Sequence, residues 1–140
     1  MKYQPYINWK IKDLEDKLKN EITNLKTSIS NKDQLLILLK LALYDSVWNP
    51  ITDYDGCTVV QDTTHPDIAC FLHDWLFKSR YFTTANNLFN AVMSMQQMKS
   101  GKRKRRSFAV RIATIYFRLV NKKNSDVDEI EIKKIIKKIN

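Results

Sequence analysis

Residues 35–47 form the stretch Leu-Leu-Ile-Leu-Leu-Lys-Leu-Ala-Leu-Tyr-Asp-Ser-Val. It is apolar nearly all round, with no alternation of period two and no β-branched run, so it predicts a helix at the centre of a helical protein. Asn31 or Asp33 can cap its start, and Trp48-Asn49-Pro50 ends it. On its N-terminal side, Ile11, Leu14, Leu18, Ile22, Leu25 and Ile29 recur at steps of three and four. That is one stripe of a long helix within residues 1–30, a rod of roughly 30 Å. On its C-terminal side, Asp55-Gly56 marks a tight turn or short hairpin in an irregular stretch over 51–64. Pro66 suits the first turn of a second central helix running to Ser79, with Thr64 or His65 as cap.

Thr83 or Thr84 would cap the next helix, whose apolar face is Leu88, Phe89, Val92, Met95 and Met98, and Gly101 can stop it. Phe108, Ile112, Ile115 and Leu119 give a further helical stripe, though its β-branched content leaves a strand open. From Ser125, acids come first (Asp126, Asp128, Glu129, Glu131) and Lys133, Lys134, Lys137 and Lys138 last, matching a helix dipole. The expectation is a mostly α, compact single domain over 1–140. Its parts are an N-terminal helix in 1–30, a core in 31–120 and a C-terminal amphipathic helix in 121–140.

A chain of 140 residues can bury a core without staples. With 2 Gly and 3 Pro it lacks the breakers that a turn-rich sandwich or barrel needs. Its 2 Cys make no disulfide scaffold and no four-ligand zinc site. The longest apolar run is about half of the roughly 20 residues a membrane span needs. No signal peptide is apparent, so production in a cytoplasm with both thiols reduced is expected.

The net charge of +9 is local: between Trp75 and Ser125 there are 12 basic residues and no acidic one. Its focus is Lys99, Lys102, Arg103, Lys104, Arg105 and Arg106, within KSGKRKRR. Such a run is either a solvated loop or a surface for the phosphates of nucleic acid, for anionic lipid head groups or for an acidic protein partner. No aromatic residue interrupts it, which argues against base stacking on single strands.

One constellation could do chemistry: Asp55-Gly56-Cys57, then Cys70-Phe71-Leu72-His73-Asp74-Trp75-Leu76-Phe77, then Ala85-Asn86-Asn87-Leu88-Phe89 and Met93. The pattern DGC…CxxHD resembles secreted phospholipases A(2), including bacterial, fungal and parvoviral forms. HDWLF, then Ser79-Arg80, then a helix of the form ADxxF…M, here Ala85-Asn86-Asn87-Leu88-Phe89…Met93, also resembles an uncharacterised family of small, largely phage-encoded proteins. Together these resemblances cover about a third of the chain.

The first resemblance implies His73 as general base and Asp74 as a calcium ligand. Carbonyls of the 53–58 loop and Asp55 would assist the ion, and Cys57 and Cys70 would form a disulfide. No cofactor is expected overall; calcium is the one this resemblance admits. The departures are specific. The position of the family's supporting aspartate falls at Asn86 or Asn87, and the loop keeps a single glycine, Gly56. An amide orients an imidazole but does not stabilise imidazolium; in another enzyme class that change costs about 10⁴ in rate.

The leading expectation is therefore a virion structural or assembly protein (capsid, neck or tail component) on a degenerate phospholipase-like scaffold. It would bind other virion proteins or its own copies. The alternatives are a Ca²⁺-dependent lipid hydrolase aiding membrane penetration, and a basic nucleic-acid-binding accessory protein. The bland reading of His73 and Asp74 is a hydrogen-bonded pair within a helical core.

Overall fold

A computed structural model describes residues 6–54, 67–96 and 125–139. Six helices form among them: α1 (Ile11–Thr23), α2 (Ile29–Tyr44), α3 (Pro50–Asp53), α4 (Ile68–Lys78), α5 (Phe82–Met95) and α6 (Glu129–Lys137). No strand occurs among the described residues, and the protein is mostly α and compact.

The apolar stripe of residues 11–29 serves two helices, not one. Leu14, Leu18 and Ile22 bury one face of α1. Asn24 then caps α1, and Leu25 seals the loop. Ser28, extended at ψ 158°, starts α2 by accepting from the Asn31 amide, 3.1 Å. Asn31 is therefore inside α2, its amide donating to Thr27 Oγ1 at 2.7 Å, and Ile29 is 77% exposed.

α2 is central but not enclosed. Leu35, Leu38, Leu39, Ala42 and Leu43 are buried, while Leu36 and Leu41 are half-buried and Ile37 is 46% exposed. Hydrophobic patterning at near-uniform apolarity cannot tell which side the neighbours take. α2 ends at Asp45, which turns extended at ψ 129°. Asn49 and Pro50 open the short helix α3, where an irregular stretch was expected.

α4 and α5 form a helical hairpin through Ser79, Arg80 and Tyr81. The turn is a Schellman closure: Tyr81 N–H donates to the Leu76 carbonyl at 2.9 Å and Arg80 N–H to that of Phe77 at 3.0 Å. Arg80 takes the left-handed conformation, φ 66°, a place where glycine is usual. The α5 cap is Tyr81, without a side-chain bond; Thr84 lies in the first turn and donates to Glu129 Oε2 of α6, 2.9 Å.

α4 packs on α5, α2 and α1, and its Ile68, Phe71, Leu72, Trp75 and Leu76 are sealed from solvent. Its start is not at Pro66: Asp67 is the cap, accepting from Cys70 N–H at 3.1 Å. α1 adds a second carboxylate there, Glu21 Oε2 accepting from Ile68 N–H at 3.0 Å. Gln96 Nε2 donates to both Glu21 and Asp67, at 3.1 and 3.2 Å. Two carboxylates at a helix N-terminus suit its positive end. Tyr54 stacks on Tyr6, rings 5.1 Å apart, and meets Phe71 edge-on at 5.0 Å. Its hydroxyl accepts from Asp67 N–H at 3.1 Å, tying α3 to the start of α4.

α6 starts at Asp128 rather than Ser125, with Glu129 and Glu131 in its first turn and Lys134 and Lys137 in its last. The expected turn at Asp55-Gly56, the stripe from Phe108 to Leu119 and Gly101 lie outside the described residues.

Candidate functional site

The short α4–α5 turn sets the register that brings His73 opposite Asn86. Its Nε2 lies 3.0 Å from Asn86 Oδ1. An amide oxygen only accepts, so the imidazole holds its proton on Nε2 and its lone pair on Nδ1. One turn along each helix, Phe77 and Phe89 close on the ring, with centroids 4.0 and 5.0 Å from it. His73 is 6% exposed. Burial drives its pKa from 6.5 down to about 4, against a smaller upward pull from the Asn86 bond. Asn87, the other position where support was expected, is exposed and makes no described contact with His73.

Asp74 follows His73 but turns about 100° around the helix. It is half-buried; burial pushes the Tyr54 phenol upward, and Tyr6, Asp67 and lastly Asp74 add smaller pulls in the same direction. His73 thus faces α5, while Asp74 lies on a different side of α4. Asp53, from the loop expected to hold calcium, accepts from Asn49 N–H at 2.8 Å within α3. Among the described residues no group of three or more His, Cys, Asp or Glu side chains converges as an ion site would require. Asp55, the loop around it and the basic residues Lys99, Lys102, Arg103, Lys104, Arg105 and Arg106 lie outside the described residues.

Cys70, one turn before His73, is disulfide-bonded, against the expectation of reduced thiols. Cys57, its counterpart in the resemblance, is outside the described residues.

No family model, curated protein or solved structure matches the sequence.

The structure also holds a polar centre with no signal in the sequence. Asp45 is 3% exposed, and its carboxylate accepts from Trp75 Nε1 (2.9 Å), Val47 N–H (3.0 Å), Asp126 N–H (2.9 Å) and the Ser125 hydroxyl. Asp126 reciprocates: Ser46 N–H and Oγ donate to it at 2.7 and 2.6 Å and hold its carboxyl below the usual range. Residues 80 apart in sequence meet here, so neither periodicity nor spacing points to it. Tyr81 Oη adds a bond to the Val127 carbonyl, 2.9 Å, fastening the segment before α6 to the α4–α5 turn.

A surface groove of about 640 Å³ is lined by Asn8, Trp9, Asp13, Asp16, Lys17 and Asn20. No residue of the His73 constellation lines it. No described helix is long and apolar enough to cross a membrane.

Proposed function

We propose that the protein is a non-catalytic assembly component of a viral or phage particle. It uses a phospholipase-like helical pair as scaffold and lacks the reaction. One observation carries the non-catalytic part: His73 is sealed between Phe77 and Phe89 and faces the amide of Asn86. A general base works best with a pKa near the operating pH. An imidazole near 4 is a poor base at neutrality, and among the described residues its Nε2 meets an amide oxygen, not a carboxylate that would stabilise the cation. The resemblance of HDWLF and the helix after it to small phage-encoded proteins supports the particle.

Charge supports an anionic neighbour. The described residues carry 13 basic and 13 acidic side chains, so they are neutral as a set. Residues 97–124 carry ten basic and no acidic side chains, which concentrates the surplus on one stretch of chain. Phosphates or an acidic subunit face suit it.

The test is calcium-dependent release of fatty acid from mixed phosphatidylcholine and phosphatidylglycerol vesicles. No release above the His73→Gln background is expected. Calcium-dependent release by the wild type, lost in His73→Gln and in Asp74→Asn, would replace this reading with the hydrolase. In purified particles of the virus that encodes it, the chain should appear at fixed stoichiometry by mass spectrometry. Its absence from particles would refute the assembly role. Replacing Arg103, Arg105 and Arg106 by Gln should preserve the thermal midpoint and weaken incorporation and polyanion binding.

A further inference from the structure

α2 buries one side and leaves the opposite one bare. Helical geometry puts residues 29, 33, 37, 40 and 44 on a single stripe, because their steps are four, four, three and four. Ile29 is 77% exposed, Ile37 46% and Tyr44 62%, an unusual concentration of large apolar groups in one row. Leu36 flanks the row, half-buried. Asp33 and Lys40 sit between the apolar residues, and neither joins an ion pair within the described residues. The Lys40 ammonium lies 6.0 Å from the Tyr44 ring centre.

The order of residues along this stripe is complementary to its own reverse. Set two copies of α2 antiparallel, with the two-fold axis between residues 36 and 37. Asp33 of one then lies opposite Lys40 of the other, and the pair occurs twice. Ile29 lies opposite Tyr44, also twice, and Leu36 and Ile37 meet at the axis. Every apolar residue meets an apolar one and every charge its opposite. A parallel pairing in register would instead set Asp33 against Asp33 and Lys40 against Lys40.

We propose that this protein self-associates as a two-fold dimer through the exposed face of α2, packed antiparallel on α2 of a second copy. The interface is isologous, which closes the assembly at two. One helix on one helix is a small contact, so the dissociation constant should be on the order of 10–100 µM. The proposal rests on the assembly reading for its purpose and deepens it by naming one partner. The two fail separately. A monomer inert toward lipid sinks the dimer alone, and calcium-dependent hydrolysis sinks the assembly reading alone.

The experiment is sedimentation equilibrium of the full chain from about 5 µM to about 1 mM. A monomer–dimer equilibrium is expected. Ile37→Glu puts two carboxylates at the axis and should leave a monomer throughout, with the far-UV spectrum and thermal midpoint of the wild type. Should Ile37→Glu fail to fold, Tyr44→Lys replaces it with the same expectation. Asp33→Lys alone and Lys40→Asp alone should each weaken association about tenfold, since each sets like charges face to face twice. The double variant Asp33→Lys with Lys40→Asp should restore it. A wild-type monomer at about 1 mM overturns the proposal, as does a dimer indifferent to Ile37→Glu. A dimer broken by Ile37→Glu whose affinity ignores both charge reversals overturns the antiparallel pairing.

Discussion

Acid should destabilise this protein through His73 in a way that one substitution can isolate. The folded state holds the ring at about 4, while the unfolded chain returns it to 6.5. Above pH 6.5 the ring is neutral in both states and contributes nothing to the pH dependence. Below that, the unfolded chain binds a proton that the folded chain refuses, so stability falls as pH falls and the loss is complete below about 4. At about 1.4 kcal/mol per pH unit, the interval between 6.5 and about 4 corresponds to roughly 3 kcal/mol in all. By pH 5 about 2 kcal/mol of it should be gone. Other groups titrate over the same range, so the quantity to measure is a difference. Denaturant unfolding at pH 7 and pH 5 is recorded for wild type and for His73→Gln. The variant loses packing between Phe77 and Phe89 at both pH values and keeps every other titration. Wild type should therefore lose about 2 kcal/mol more than the variant between the two pH values. The His73 ring signals in an NMR titration should move near pH 4. An equal pH dependence in the two proteins, or a His73 midpoint above 6, would refute the sealed-ring argument and with it the case against catalysis.

Three further outcomes follow from the packing. Leu38→Ala, at a side chain wholly removed from solvent, should cost about 2–5 kcal/mol, and Leu41→Ala, half-buried, measurably less; equal midpoints would refute the one-sided burial of α2. Asp45→Asn exchanges one acceptor oxygen for an NH₂ facing donors, so it should cost about 2–4 kcal/mol and speed amide exchange in α6; unchanged exchange there would deny Asp45 its fastening role. Arg80→Gly relieves the left-handed arginine of the α4–α5 turn and should raise stability by up to about 1 kcal/mol, read as a higher denaturation midpoint.

Helix content, the centrality of residues 35–47 and 68–78, and the dipole order of the last helix were legible in the sequence, because periodicity and capping chemistry are local. Asn86 was legible too, as one of two residues at a position implied by resemblance; only the α4–α5 turn chose it over Asn87, by fixing which face of α5 meets His73. Three things depended on contacts between distant segments. The stripe of residues 11–29 divides at Asn24 because Ser28 caps a second helix that packs back on the first. α2 has a bare side because its neighbours among the described residues lie on the other, and an all-round apolar sequence carries no record of that choice. Asp45 becomes a buried acceptor of four hydrogen bonds only when Trp75 and residues 125–126 arrive beside it. Local spacing determines which segments become helices; the energy of burying a carboxylate or exposing an isoleucine is settled by what packs against it, and that is a property of the assembled chain.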